Sequence, residues 1–404
     1  MMISRRSALR SAALAGLLAA SPAGVRFGFA AAPARRVLVF LLLRGGMDGL
    51  NLVAPSDDAN LFQARPESLR LVASGTNPAL PLANGPSAND WRLHPNAPGL
   101  KALYDGGQLA FVHAAGIPAD SRSHFQMQAF LENGVADTLT LGHSNGWIAR
   151  LGLANGLGGN AFALLSADAT LPPSMNGDNN AVSMPDPTQF NTGSAARSTF
   201  LSAAYASAAG TIGASGRTAL SAVSSFKQYA SGYVAPAAGT YGTDSLSKAF
   251  SVVAEVIKLN AGLQLAEVEF NQWDTHVNQQ PRFAASVTTL NAGLSSFLKD
   301  MTASGKAVTV VAMSEFGRRV KSNASGGTDH GHGNVMIVAG SGVKGGRIYG
   351  QWLGLSPSVL ALGDVPVTTD YRSVITEAVA ATQGPAPSLF PGFTPTAPLG
   401  LFAS

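Results

Sequence analysis

The sequence predicts an α/β protein, a mostly parallel central sheet flanked by helices, and three observations carry that prediction. Val37 to Leu43 is apolar at every position, as a strand covered on both faces must be. Two comparable runs, Ala307 to Met313 and Val335 to Ala339, return late in the chain. Between them, apolar stretches of strand length alternate with helical periodicity and Gly-rich turns, the pattern of strands joined by helical crossovers.

Taken in order, the first strand runs into the turn Arg44-Gly45-Gly46-Met47-Asp48-Gly49. Pro98 to Tyr104 reads as a short helix and Leu109 to His113 as a strand. Ser123 to Glu132 follows as a helix closed by Asn133-Gly134, with Ser123 as N-cap and Gln126 completing a capping box. A third strand is expected at Phe162 to Leu165. Residues 193–250 shift to Ala, Ser and Gly with scattered aromatics, which suits a helical cap inserted into a domain spanning residues 31–404. The sheet resumes at Leu265 to Phe270, followed by a helix from about Phe283 to Met301. Gly340-Ser341-Gly342-Val343-Lys344-Gly345 spells G-x-G-x-x-G, but Arg347 to Gly350 continues as strand where a dinucleotide site needs a helix, so a hairpin turn is expected there.

Composition narrows the function classes. With 404 residues, 46% of them hydrophobic and 12% charged, the chain is neither disordered nor collagenous. It has no Cys, which removes disulfides, thiolate zinc sites and thiol nucleophiles. Its basicity is local: residues 1–36 hold six arginines and no acid, and without residues 1–30 there remain 23 basic residues against 23 acidic ones. A nucleic-acid partner is therefore not expected. Ser4-Arg5-Arg6-Ser7-Ala8-Leu9-Arg10, the short apolar run Ser11 to Ala20 and the small residues around Ala30 to Ala32 have the order of a cleaved twin-arginine export signal over residues 1–30. That places the mature chain in the periplasm or outside the cell, with no stable transmembrane anchor after cleavage.

Acids and histidines gather in three segments that follow expected strands: Asp48, then Asp274-Thr275-His276, then Glu315 with Asp329-His330-Gly331-His332. In an open α/β sheet the carboxyl ends of the strands meet at one crevice, so these distant groups can share a site. Asp48, Asp274, His276, Glu315, Asp329, His330 and His332 are the expected ligands of a divalent ion, Zn, Mn, Mg or Ca. Plainer readings stand beside these: Asp48 as a turn residue, Asp274 as a loop cap, His276 as a surface histidine and Asp329 to His332 as a hairpin tip. Glu315, directly after an apolar strand, must be exposed or neutralised, by Arg318 or by a cation. Ser123 faces unpaired N–H groups at a helix start and is the candidate nucleophile, with Arg44 or Arg318 stabilising the transferring group. Gly142-His143-Ser144-Asn145-Gly146 matches the G-x-S-x-G elbow of serine esterases but lacks the apolar strand that should lead into it.

The order of these pieces resembles the alkaline phosphatase and sulfatase-like superfamily. More closely, Leu43 to Asn51, Arg122 to Phe125, Trp273 to His276, Ser314 to Arg318, Gly327 to Gly333 and Thr369 to Arg372 resemble an exported bacterial family known as domain of unknown function 1501. The resemblance implies an alkaline phosphatase-like fold and an exported protein partner. It also exposes a departure: the superfamily's enzymes usually show Asp-His where this chain has Glu315-Phe316, so filling both usual metal positions would require Asp329 or His330. The lack of Cys excludes a cysteine-derived formylglycine. Two functions are then expected as alternatives: a metal-dependent hydrolase of phosphate or sulfate esters on a small molecule or polymer, or a non-catalytic envelope- or polysaccharide-binding protein working with an exported partner.

Overall fold

The computed structural model describes residues 36–403 except 139, 141–144, 158–159, 161, 179, 231–235, 238, 387–388 and 396, and gives no side chains at 228–230. The expected leader over residues 1–30 and most of the Gly142 to Gly146 elbow lie outside the described residues. No helix among the described residues is long and apolar enough to cross a membrane.

Fourteen strands are described: β1 (Val37–Leu43), β2 (Val53–Pro55), β3 (Leu80–Pro81), β4 (Trp91–Leu93), β5 (Leu109–Gly116), β6 (Leu164–Ser166), β7 (Val182–Ser183), β8 (Leu265–Phe270), β9 (Val308–Met313), β10 (Arg318–Ser322), β11 (Thr328–His330), β12 (Asn334–Gly340), β13 (Ile348–Tyr349) and β14 (Thr369–Asp370). The central sheet has the order β13-β5-β12-β9-β1-β8-β6-β7, with β14 also on β5. All its pairings are parallel except the two made by β12. This is the expected mixed α/β class.

Pleating of β1 divides the core. Val37, Val39, Leu41 and Leu43 face one apolar cluster, covered by the helices Pro98–Asp105, Ser245–Lys258 and Gln279–Ala303. Leu38, Phe40 and Leu42 face the other, covered by the helices His124–Asn133, Trp147–Ala154 and Tyr371–Thr382. A strand lined with apolar side chains on both faces can sit only between two helical layers, and all seven β1 residues are buried. Within residues 193–250 lie the helices Ala195–Ser207 and Gly210–Ala230; Ala222 and Phe226 reach the first cluster, with Phe226 against Phe162 and Phe190.

Two local expectations are corrected. After Gly340 to Gly345 no helix follows, but the turn is not a hairpin: β5 separates β12 from β13, and β13 pairs with β5 in parallel. The capping box at Ser123 does not form. Ser123 sits at the N-cap without a side-chain bond, and Gln126 instead accepts from the Ser121 hydroxyl at 2.7 Å.

The parallel strands β1, β5, β8 and β9 all end at one rim, and the reversed strand β12 begins there. Residues 44–48, 117–124, 271–276, 314–318 and 328–334 therefore meet along that edge. The small hairpin β10–β11 leans over it, with Arg318 opposite His330.

Candidate metal centre

Two close approaches shape the rim. Gly45 has φ +121°, and a Cβ there would meet the Asp274 backbone N at 2.6 Å, so only glycine lets the loop after β1 press on the loop after β8. A Cβ on Gly327 would meet the carbonyl oxygens of Thr275 and His276 at 2.3 and 2.4 Å, which brings the β10–β11 hairpin onto the same loop. That loop is anchored by Trp273, wholly buried and edge-on to Phe270 and Phe283.

Three imidazoles then converge. His124 Nδ1 lies 2.7 Å from Glu315 Oε1, His276 Nδ1 lies 3.0 Å from Asp329 Oδ1, and His330 Nδ1 lies 2.8 Å from the Arg122 carbonyl oxygen. Each partner is an acceptor, so each Nδ1 carries the proton and donates it. The Nε2 atoms are left to face inward, around Asp274. His276 Nε2 is 3.2 Å and His330 Nε2 3.7 Å from Asp274 Oδ1, and His124 Nε2 is 3.8 Å from Asp274 Oδ2. His276 Nε2 and His330 Nε2 are 2.8 Å apart.

This donor set fits a divalent ion on the structure's own terms. Ligand atoms of His124, Asp274 and His330 all lie within 4.8 Å of one another. His124 Nε2 is buried without a hydrogen-bond partner, which a lone pair held for a cation explains. Nitrogen and carboxylate oxygen in this number suit zinc or manganese. The Nδ1 partners are the outer layer that fixes tautomer and ring orientation in metal sites. Phe316 cannot ligate, as anticipated; it packs its ring on His124 and His330 at centroid distances of 4.8 and 4.7 Å and closes one side to water.

Electrostatics supports the arrangement. Burial alone would raise the Asp274 carboxyl, but the Arg318 guanidinium at 2.7 Å holds it below the usual carboxylate range. Burial also works to raise Glu315, and hydrogen bonds from His124, Gln128 and Ser314 bring it down to about 2. Asp329 is lowered by hydrogen bonds from Asn323 and His276, and burial keeps the His330 imidazole below its ordinary value.

Asp274, His276, Asp329 and His330 are thus brought together as expected by position, with Asp329 behind His276 as an orienting acceptor. Glu315 stands one step back. It is wholly buried, unpaired with Arg318, and satisfied by the Gly45 N–H at 2.9 Å, Gln128 at 2.9 Å, the Ser314 hydroxyl at 2.9 Å and His124. Asp48 does not join the cluster. It is buried in a bidentate ion pair with Arg65, at 2.7 and 3.1 Å, and accepts from Gln279 at 2.6 Å. His332 turns its Nε2 to the Ile117 carbonyl oxygen at 3.1 Å.

The expected arginines are committed elsewhere. Arg318 is 2% exposed and donates to the carbonyls of Gly45, Gly46, Trp273 and Thr328 as well as to Asp274, so it positions the aspartate and cannot reach a transferring group. Arg44 pairs with Glu269 and Glu132 and donates to Gln128. Ser123 is exposed at the start of the helix that carries His124. His124 is not among the ligands the sequence suggests: in Arg122 to Phe125 the serine reads as the nucleophile, while the histidine beside it supplies the inward-facing nitrogen.

Comparisons with known proteins add the following. The C-terminal periplasmic domain of EcEptC from Escherichia coli, in a complex with Zn, aligns over 93% of this chain and 92% of its own at 10% identity and a TM-score of 0.42. Ps i-CgsB aligns over 87% of this chain and 73% of its own at 11% identity and a TM-score of 0.40. The lipoteichoic acid synthase LtaP from Listeria monocytogenes aligns over 84% and 76% at 10% identity and a TM-score of 0.33. No curated protein matches. A family model described as a protein of unknown function (DUF1501) matches residues 235–372, the stretch that holds Asp274, His276, Glu315, Arg318, Asp329 and His330.

Proposed function

We propose that this chain is an exported, metal-dependent hydrolase of phosphate or sulfate esters, built on one divalent ion held by His124, His276, His330 and Asp274. The observation that carries the reading is the set of three imidazoles, each with Nδ1 tied to an acceptor and Nε2 turned toward Asp274. A divalent ion there supplies Lewis-acid polarisation of an ester oxygen and an acidified water. Glu315, Asp329 and the Arg122 carbonyl hold the rings in one tautomer. Arg318 keeps Asp274 ionised and aimed, and Phe316 shields the rings on one side. Ser123 is the nucleophile of this reading, exposed at the N-terminus of the helix His124–Asn133, whose free N–H groups and dipole favour an anion. The leader-like residues 1–30 support export.

Metal analysis of the purified protein, combined with a panel of phosphomonoesters, phosphodiesters and sulfate esters, tests the reading. The expected result is about one bound divalent ion at the histidines and turnover on one ester class that falls at least a hundredfold in Ser123→Ala with the metal retained. Absence of both metal and turnover overturns it.

One observation favours a second reading. Arg44, Arg122 and Arg318 are each engaged with an acid, so none of these three is held free for a transferring group. A non-catalytic envelope- or polysaccharide-binding protein, metal-braced and acting with an exported partner, needs no such arginine. It predicts a stoichiometric partner in a pull-down and a function that survives Ser123→Ala.

A further inference from the structure

A second set of acids lies apart from the histidines. Pleating of β8 sends Ala266, Val268 and Phe270 to one core cluster and leaves Glu267 and Glu269 on the opposite face, the face covered by the helix His124–Asn133. Glu132 comes from the last turn of that helix. One carboxylate oxygen from each of Glu132, Glu267 and Glu269 lies within 4.8 Å of the others. Two charges on the inward face of a central strand break the pattern that built the sheet, and such breaks need a compensating partner.

The protein's own partners fall short of that. Arg44 is the guanidinium that meets Glu269 and Glu132. Glu267 is wholly buried, its Oε2 accepts from the Ser174 hydroxyl, and its Oε1 has no hydrogen-bond partner. Three carboxyl groups share one guanidinium, so without a further cation they can be ionised together only at a cost in desolvation and repulsion. Burial and mutual repulsion push Glu267 well above the usual carboxylate range and Glu132 up to about 7. A dication offsets that cost, and the unpartnered Oε1 is the oxygen free to receive it.

We infer that Glu132, Glu267 and Glu269 form a second divalent-cation site, separate from the histidine centre and selective for an oxygen-preferring ion: magnesium, manganese or calcium. Carboxylate oxygens alone suit these hard cations, whereas the imidazoles across the rim suit zinc or manganese. Access is from the Glu269 side, where its side chain is 19% exposed. The site also communicates with the other. Arg44 donates to Gln128, Gln128 donates to Glu315 at 2.9 Å, and Glu315 accepts from His124, so a cation that recruits Glu269 also competes with Arg44 at the head of that chain.

The test uses the full chain, stripped with chelator and titrated with Mn²⁺ by electron paramagnetic resonance and with Ca²⁺ by calorimetry. Wild type is expected to bind two Mn²⁺ and one Ca²⁺. A His124→Ala/His330→Ala double variant is expected to keep the Ca²⁺ site and one Mn²⁺. Glu267→Gln, nearly isosteric, is expected to weaken Ca²⁺ at least tenfold while leaving the histidine-held Mn²⁺, and Glu132→Gln to do the same. If wild type and the double histidine variant bind no Ca²⁺ or Mn²⁺ at this site, or if both glutamine variants bind Ca²⁺ as wild type does, the inference is overturned. Should Glu267→Gln fail to fold, the double histidine variant and Glu132→Gln decide alone. Ester turnover does not enter any of these outcomes, so loss of the hydrolase reading leaves the second site standing or falling by itself.

Discussion

His276 and His330 face each other Nε2 to Nε2 at 2.8 Å, while their Nδ1 atoms point away to Asp329 and to the Arg122 carbonyl. Two nitrogens this close share one proton or one ion. Saturation with Zn²⁺ or Mn²⁺ at a hundred times the dissociation constant is expected to stabilise the fold by about 2.7 kcal/mol. Thermal denaturation with and without metal measures this, and His330→Ala should remove most of the gain.

Glu315→Gln separates an orienting role from a ligating one. The amide can no longer accept from His124, Gln128, Ser314 and the Gly45 N–H together, so His124 loses its fixed direction. Metal affinity is expected to fall about 10- to 100-fold, read by chelator competition, with one ion still bound at saturation. Complete loss of the ion would make Glu315 a direct ligand.

For Asp48 and Arg65 the expectation concerns stability. Both side chains are fully buried, and Arg65 also donates to the carbonyls of Val320 and Arg319. Removing one partner of a buried pair strands the other, so Asp48→Ala should cost about 3–5 kcal/mol in chemical denaturation. Metal content per folded molecule should not change, which distinguishes a brace from a ligand.

His113 predicts a pH dependence away from either cation site. Its Nε2–H donates to the Val53 carbonyl at 2.9 Å and its Nδ1 accepts from the Ala114 N–H at 2.9 Å, so only the neutral ring fits. Burial accordingly lowers its pKa to about 4. The unfolded chain takes up the proton near pH 6.5, the folded chain only near 4. Stability from this group is therefore complete above pH 6.5 and is lost as pH falls toward 4, on the order of 3 kcal/mol in all. Denaturation across that window should show a shallower loss in His113→Gln than in wild type.

Much of the fold could be read from residue pattern. A seven-residue apolar run has one stable place, between two helical layers, and β1 occupies it. Asp274, His276, Asp329 and His330 were also legible, because strand ends in an α/β sheet are forced to one rim. Other features depended on distant partners. Asp48 is claimed by Arg65, which belongs to a helix end with no visible link to that turn. Glu315 follows an apolar strand in a way that suggests an ion ligand, yet Gly45, Gln128, Ser314 and His124 satisfy it first. Glu267 and Glu269 alternate with apolar residues, which ordinarily marks a solvent-facing side; only the covering helix shows that this side is interior.

The reversed strand β12 has a further consequence. A chain leaving β9 and needing another parallel neighbour would travel through a helix to the far edge before returning. Reversal spares it that excursion, so Glu315, Phe316, Arg318, Asp329 and His330 are delivered as one uninterrupted cassette between adjacent strands. Of the four proposed ligands His330 comes with that cassette and Asp274, His276 and His124 are recruited from elsewhere, but the groups that orient Asp274, His276 and His124 (Arg318, Asp329 and Glu315) are inherited from a single local stretch of polypeptide.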